Sequence, residues 1–264
     1  MKLSLSGRLI EIEYRFCERS VPEFMRFAHE CGYEAVELRA TQITTDTTPE
    51  EAVAFRRVAD ELGIGVSCVI PPRAPEEDAG LGQLEEFADI VKILGCDTLK
   101  TWSGQVGWIR EACDMLGARG MTIVAQTHTG IPFSTVASCL NTLGQVNRTN
   151  FGLQYDPANL FEAQAEYGEE AIGQLGKYLH QLSVQNIALA EPDEPNVWEH
   201  EGRHYKRCLL GDPDGLDFAS VFRGLRTLGF DGYVTVNEPK PTITDVGPFA
   251  RKTAEELRKL LREK

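Results

Sequence analysis
The chain has 264 residues, 42% hydrophobic and 25% charged, with 24 Gly and 13 Pro. That length holds one large core or two small ones without a metal or disulfide staple, and the composition excludes disorder, collagen and coiled coil. Its 27 basic and 40 acidic residues leave a net charge of −13, which repels nucleic acid and anionic membrane and leaves a small molecule as the expected partner.

The seven cysteines are an odd number, contain no C-x-x-C pair and sit mostly in apolar stretches. Reduced thiols of that kind behave as small hydrophobes and point to the cytoplasm. The opening Met-Lys-Leu-Ser-Leu-Ser-Gly lacks the apolar core of a secretory signal, and no run approaches about 18 apolar residues.

In chain order, a first strand is expected within 5–14. Ser20 and Glu23 form a capping box with Pro22 between them, opening a helix with Phe24, Phe27, Ala28 and Cys31 on one face. A strand follows at 35–38. Thr48 and Glu51 repeat the device before Ala52, Phe55, Val58, Ala59 and Leu62, and the next strand covers 66–70. The Pro-rich segment 71–78 reads as a loop over the mouth of the fold, a candidate lid. Leu84, Phe87, Ala88, Val91 and Leu94 form a third apolar stripe, and strands are expected at 98–102, 122–127, 151–155 and 179–184. Asp217 caps a run carrying Phe218, Val221, Phe222, Leu225 and Leu228, followed by a strand at 233–236. Thr244 or Asp245 introduces a last helix that runs to Leu261.

Phrases in which an amphipathic run stops at Gly before a β-branched run recur at Gly32, Gly63, Gly95, Gly120 and Gly229. Gly supplies the left-handed cap that ends a helix just before a strand. The first three are 31 and 32 residues apart, and eight units of 33 fill the 264 residues. Eight strands alternating with helices predict an α/β fold, a closed (β/α)₈ TIM barrel, as one domain over 1–264. Neither G-x-G-x-x-G nor a phosphate-binding P-loop is present, which removes the usual nucleotide readings.

Chemistry in such a barrel gathers at the carboxyl ends of the strands. Those ends carry Glu37 and Arg39, Cys68 and Ile70, Lys100 and Trp102, Gln126 and His128. The later strands add Gln154 and Asp156, Ser183 and Gln185, Asn237 and Glu238. Packing alone does not account for so many polar groups on otherwise apolar strands.

Several segments, in this order, resemble the xylose isomerase-like TIM barrels, the family of sugar isomerases and epimerases that also includes apurinic endonucleases. They are Gly-Tyr-Glu-Ala-Val-Glu-Leu at 32–38, Val-Ala-Gln-Thr-His-Thr-Gly at 124–130 and Phe-Gly-Leu-Gln-Tyr-Asp-Pro-Ala-Asn at 151–159. Leu-Gly-Asp-Pro-Asp-Gly-Leu-Asp at 210–217 and Gly-Phe-Asp-Gly-Tyr-Val-Thr-Val at 229–236 continue the pattern. The resemblance implies a divalent metal held by Glu, Asp, His and Glu after strands five to eight. Here the family's E-x-H falls on Gln126 and His128, the Asp is kept as Asp156, the H-x-K-D falls on Ser183 to Asn186, and the last Glu falls on Asn237. Three of four implied ligands are therefore replaced, and the implied charge of −3 becomes −1. Amides and a serine hydroxyl are weak ligands for Mn²⁺, Mg²⁺ or Zn²⁺, so no metal or other cofactor is expected. They suit a polyhydroxylated ligand, which needs donors and acceptors together.

Asp156 is a candidate general base or hydroxyl acceptor; its plainer role is to cap the helix that follows. His128 would serve as an acid/base near neutral pH. Glu37 matches a substrate-facing family position, against a simple salt bridge to Arg39 or Lys100. Substrate-binding candidates are Gln126, Ser183, Gln185 and Asn237, with Lys100 and Trp102 on one face, Trp102 as a stacking wall. The family often places a substrate-contacting Arg or His in the loop after the seventh strand, here Arg203 or His204. A bulge turning Glu238 inward would assemble a three-ligand site with Asp156 and His128; a regular strand points it away. His180 reads as structural, and Cys68 as a weak nucleophile candidate. The expectation is a sugar or polyol isomerase or epimerase working by proton transfer, and a homodimer, common among relatives. Its rival is a carbohydrate-binding pseudoenzyme or the partner subunit of an active homologue. A DNA repair endonuclease would need zinc ligands and a basic groove.

Overall fold
The computed structural model describes residues 1–72, 80–241 and 245–262. Eight parallel strands close a barrel: β1 (Lys2–Ser6), β2 (Ala35–Leu38), β3 (Gly65–Val69), β4 (Thr98–Thr101), β5 (Thr122–Gln126), β6 (Phe151–Tyr155), β7 (Leu179–Val184) and β8 (Tyr233–Val236). Each strand pairs with its neighbours in sequence, and β8 returns to β1 with Leu3 opposite Val234. The fold class expected from the alternating pattern is the one observed.

The helices are α1 (Val21–Glu30), α2 (Pro49–Leu62), α3 (Gly80–Ile93), α4 (Val106–Gly117), α5 (Val136–Val146), α6 (Pro157–Glu162), α7 (Glu169–Leu175), α8 (Phe218–Thr227) and α9 (Val246–Arg262). The start signals act as read. Glu51 reaches back to the Thr48 backbone at 2.9 Å while Thr48 accepts from the Glu51 amide at 3.2 Å, and Asp217 caps α8 through the Ser220 amide at 2.9 Å. The five recurring glycines all have positive φ, from 66° to 87°, which only a residue without Cβ adopts at little cost. Phe24, Ala28, Ala88, Leu116, Val221 and Leu225 lie fully buried between strands and helices.

The first strand begins earlier than expected. The chain leaves β1 at Ser6, forms a 3₁₀ turn over Gly7–Ile10, and then a small hairpin of Glu11–Ile12 with Phe16–Cys17. The apolar residues of 5–14 thus serve three local structures, which period alone could not separate. The candidate lid at 71–78 lies, beyond Pro72, outside the described residues, as does Thr244. Between β7 and α8, residues 187–207 form a three-stranded antiparallel ribbon of Ile187–Leu189, Trp198–His200 and Arg203–Arg207.

The inside of the barrel is polar. Ser4 and Ser67 share a hydrogen bond of 2.7 Å, and Gln181 donates to the Ser67 carbonyl at 2.7 Å. Gln154 then donates to Gln181 at 2.9 Å and to Glu37 at 2.5 Å. The β2–β3 register shifts between Val36 and Glu37, and the β6–β7 register between Leu153 and Gln154. Such irregularities re-aim side chains, and here they flank the two residues that meet across the barrel.

Candidate active site
The mouth at the carboxyl ends of the strands encloses a cleft of about 310 Å³. Asp156 follows β6 at its floor and is wholly buried. One carboxylate oxygen, Oδ2, accepts from Gln126 Nε2 at 2.6 Å, Ser183 Oγ at 2.8 Å and Gln185 Nε2 at 3.0 Å. The other, Oδ1, accepts the Ala158 and Asn159 amides at 3.1 and 3.2 Å, capping α6. The capping role is therefore real, and it coexists with a place at the centre of the polar cup. Burial pushes the Asp156 carboxyl above its usual range, against the pull of these five donors.

His128 lies on the cleft wall beside Trp102, the rings edge to face with centroids 5.9 Å apart. Its Nδ1 is 2.9 Å from the Thr129 carbonyl oxygen. The neutral tautomer that donates from Nδ1 to this carbonyl leaves the Nε2 lone pair for a ligand.

Glu37 and Lys100 sit below the cleft, both fully buried. Glu37 accepts from Ser6 at 2.8 Å and from Gln154, and makes no ion pair within 4.0 Å among the described residues. Burial alone would raise its carboxyl, but Lys100, Arg39 and the two hydrogen bonds together bring it below the ordinary value. Lys100 Nζ has no hydrogen-bond partner and lies 4.9 Å from the Trp102 ring centroid. Burial lowers the Lys100 ammonium pKa, with Glu37 opposing.

Of the expected binding residues, Gln126, Trp102, Gln185 and Asn237 line the cleft. Ser183 and Lys100 lie behind them. Gln126 Oε1 and Asn237 Oδ1 are buried without partners, acceptors that a ligand hydroxyl or water would satisfy. Arg203 and His204 do not reach the cleft: they occupy the turn-proximal end of the ribbon, where they pair with His200 and Glu199. From the same ribbon it is Trp198 and Arg207 that line the cleft. Buried Tyr205 fixes them there by stacking on Trp198 (6.0 Å) and donating to the Glu162 carbonyl at 3.2 Å.

Glu238 does not turn inward. Its carboxylate accepts the Asn186 amide at 2.6 Å and Arg207 NH1 at 2.9 Å, so it braces the ribbon against β8. Burial raises its pKa despite Arg207. Among the described residues no three His, Cys, Asp or Glu side chains converge on a point where a metal could sit. Cys68 is fully buried and its thiol pKa is raised well above the usual range by that burial, which removes the nucleophile reading. His180 packs its ring against Gly152 at the opposite end of β7, the structural role expected.

Arg8 and Tyr14, like Trp198 and Arg207, escaped the sequence reading, whereas Arg39 was placed by it at the end of the second strand. Arg8, Tyr14 and Arg39 gather over the β1–β2 side, with buried Glu11 between the two arginines. Arg39 Nε and NH2 both lie 3.1 Å from Glu11 Oε2, and Arg8 NH1 is 3.7 Å from the same oxygen. The signal was the Arg-x-x-Glu of 8–11, hidden because that segment was read as strand.

Known proteins of this shape place the chain. A 3-dehydroshikimate dehydratase from Bacillus anthracis is 22% identical over 210 residues, 69% of this chain and 72% of that protein. The crystal structure of the probable 3-DHS dehydratase AsbF from Bacillus anthracis superposes with a TM-score of 0.77 at 18% identity, covering 98% and 99% of the two chains. A D-allulose 3-epimerase from Methylomonas sp. gives a TM-score of 0.72 at 16% identity, with 98% of each chain covered. The family model described as xylose isomerase-like TIM barrel matches residues 25–264. With that match over nearly its whole length, the chain belongs to the xylose isomerase-like TIM barrel family.

Proposed function
We propose that the protein binds a sugar or related polyol in the mouth cleft and moves a proton at the carbon beside its carbonyl, without the divalent metal its family implies. Isomerisation, epimerisation and elimination of water share that first step, and relatives named as epimerase and dehydratase are compatible with each. The observation that carries the reading is the cup around Asp156. Amide and hydroxyl donors from Gln126, Ser183 and Gln185 converge on one carboxylate oxygen, where a cation would need lone pairs. This donor set does not fit a metal ion.

His128 is the group to take the proton, through Nε2 of the tautomer that donates from Nδ1 to the Thr129 carbonyl. Asp156 positions the amides that order the ligand hydroxyls, with Asn237 and Trp102 completing the walls. Negative charge growing on the carbonyl oxygen is met by Arg207 and the field of buried Lys100. Glu37, below the cleft, acts by opposing the burial that lowers the Lys100 pKa rather than by touching the ligand. The seven free thiols support a reducing, cytoplasmic setting, and no helix among the described residues is long and apolar enough to cross a membrane.

A second reading, a carbohydrate-binding pseudoenzyme, is favoured by one fact: both oxygens of Asp156 are already committed. Metal analysis of the purified protein, combined with a thermal-shift screen of monosaccharides with and without Mn²⁺ and chelator, tests the main proposal. Stabilisation by one sugar class regardless of chelator is expected. A stoichiometric, tightly bound divalent ion overturns the metal-free site. If sugars bind and no turnover is found with any of them, the second reading takes its place.

A further inference from the structure
In a ring of eight strands, β1 and β2 face β5 and β6. The cleft therefore has two sides of different chemistry. Gln126 and His128 line one, with Asp156 buried behind Gln126; Arg8 and Arg39 line the other. The two guanidiniums share one carboxylate, Glu11, the only acid within 4.0 Å of either among the described residues. Two positive charges against one negative leave +1 on this wall, in a chain whose net charge is −13. The other acids at the mouth are engaged elsewhere: Glu238 with Arg207, Glu162 with the Trp198 indole N–H at 2.7 Å, Asp156 with its five donors.

A second observation concerns the hairpin beside them. Its turn closes with the Arg15 amide on the Ile12 carbonyl at 2.9 Å, and its two central residues, Glu13 and Tyr14, have φ of 48° and 59°. That turn favours Asn and Gly, and side chains with Cβ adopt it at a cost. The strained turn sets the Tyr14 ring 4.1 Å from the Arg8 guanidinium carbon, at the edge of the cleft. The ring packs over the Arg8 guanidinium, a favourable cation–π contact.

From these two observations we infer that Arg8 and Arg39 form a subsite for a single negative charge on the ligand, so that the substrate class is a polyol carrying a carboxylate, a sugar acid or related hydroxy acid. A carboxylate matches the surplus of one positive charge; a phosphate, nearer two negative charges at neutral pH, exceeds it. The fork of Arg8 suits the two oxygens of a carboxylate. This inference rests on the polyol reading for the opposite side of the cleft and names the ligand group that faces Arg8 and Arg39.

The test is calorimetric titration at low and high salt with D-gluconate, glucitol, glucose 6-phosphate and acetate, on the wild type, Arg8→Gln and Arg8→Lys. Gluconate is expected to bind about tenfold or more tighter than glucitol, in line with a charge-assisted hydrogen bond, and glucose 6-phosphate no tighter than gluconate. High salt should narrow the preference. Arg8→Gln should erase it while leaving glucitol affinity unchanged, and Arg8→Lys should restore part of it. Equal binding of gluconate and glucitol, or equal loss of both in Arg8→Gln, overturns the anion subsite and leaves the polyol reading standing. Gluconate and acetate binding without glucitol supports the subsite and removes the polyol reading. Failure of all four ligands removes both.

Discussion

Asp156 can be tested most sharply through stability, because its five hydrogen bonds are all on view. Asp156→Ala removes a helix cap, at about 1 kcal/mol, and strands the donors that faced Oδ2. The Ser183 hydroxyl turns to another acceptor and half-buried Gln185 reaches water, so buried Gln126 carries most of that loss. One charged acceptor withdrawn from a buried donor costs about 1.5–3 kcal/mol, giving about 2.5–4 kcal/mol in all. For a chain of this size each kcal/mol lowers Tm by about 2–4 °C, so a fall near 10 °C is expected by calorimetry or circular dichroism. Asp156→Asn keeps an oxygen for the cap and should lose roughly half as much. The pH dependence has a definite sign. Burial raises the folded-state pKa of Asp156 above its ordinary 3.8, so its contribution is full below that value and declines as pH rises through the folded pKa. The deficit of Asp156→Asn should therefore be largest in acid and smaller at neutral pH. An alanine variant within about 1 kcal/mol of wild type, the cost of the cap alone, would refute the claim that this carboxylate organises the cup.

Three other outcomes follow from the same geometry. His128→Gln should lower turnover about 10²–10⁴-fold on any accepted substrate while moving Tm by no more than a surface substitution does; a large Tm shift with turnover intact would make the histidine structural. Gly152→Ala places a Cβ 2.0 Å from the His180 ring and 2.5 Å from the Tyr178 carbonyl oxygen. It should cost about 1–3 kcal/mol in urea unfolding, and a neutral result would show that the base of β6 has slack. Glu37, whose folded pKa lies below its ordinary 4.5, supplies stability above that value and loses it as pH falls through the folded one. The wild type's advantage over Glu37→Gln should thus shrink in acid, and an advantage that grows there would contradict the role given to Lys100 and Arg39.

What the sequence determined by itself is the barrel and its order. Capping boxes at Thr48, the glycine stops and the alternation of strand and helix are local signals, written in neighbouring residues, and they survived folding unchanged. β6, β7 and β8 begin and end at the residues expected. The floor of the cleft was legible too: strand-end positions predicted that Gln126, Asp156 and Gln185 would meet, and they do. Three things depended on contacts between distant segments. Glu37 joins Gln154, 117 residues away, in place of an arginine or lysine. Arg39 goes instead to Glu11, on a hairpin that pattern reading had merged into a strand. Arg207, not Arg203, reaches the cleft, although the two share a strand face: Arg207 sits opposite Ile187 beside the barrel and Arg203 opposite His200 at the far turn, a placement held by Tyr205 packing on Trp198 and Glu162. Short-range preference fixes which segments are strands and helices; which charged side chain meets which is settled by where the barrel's closure and the ribbon's register bring them in space.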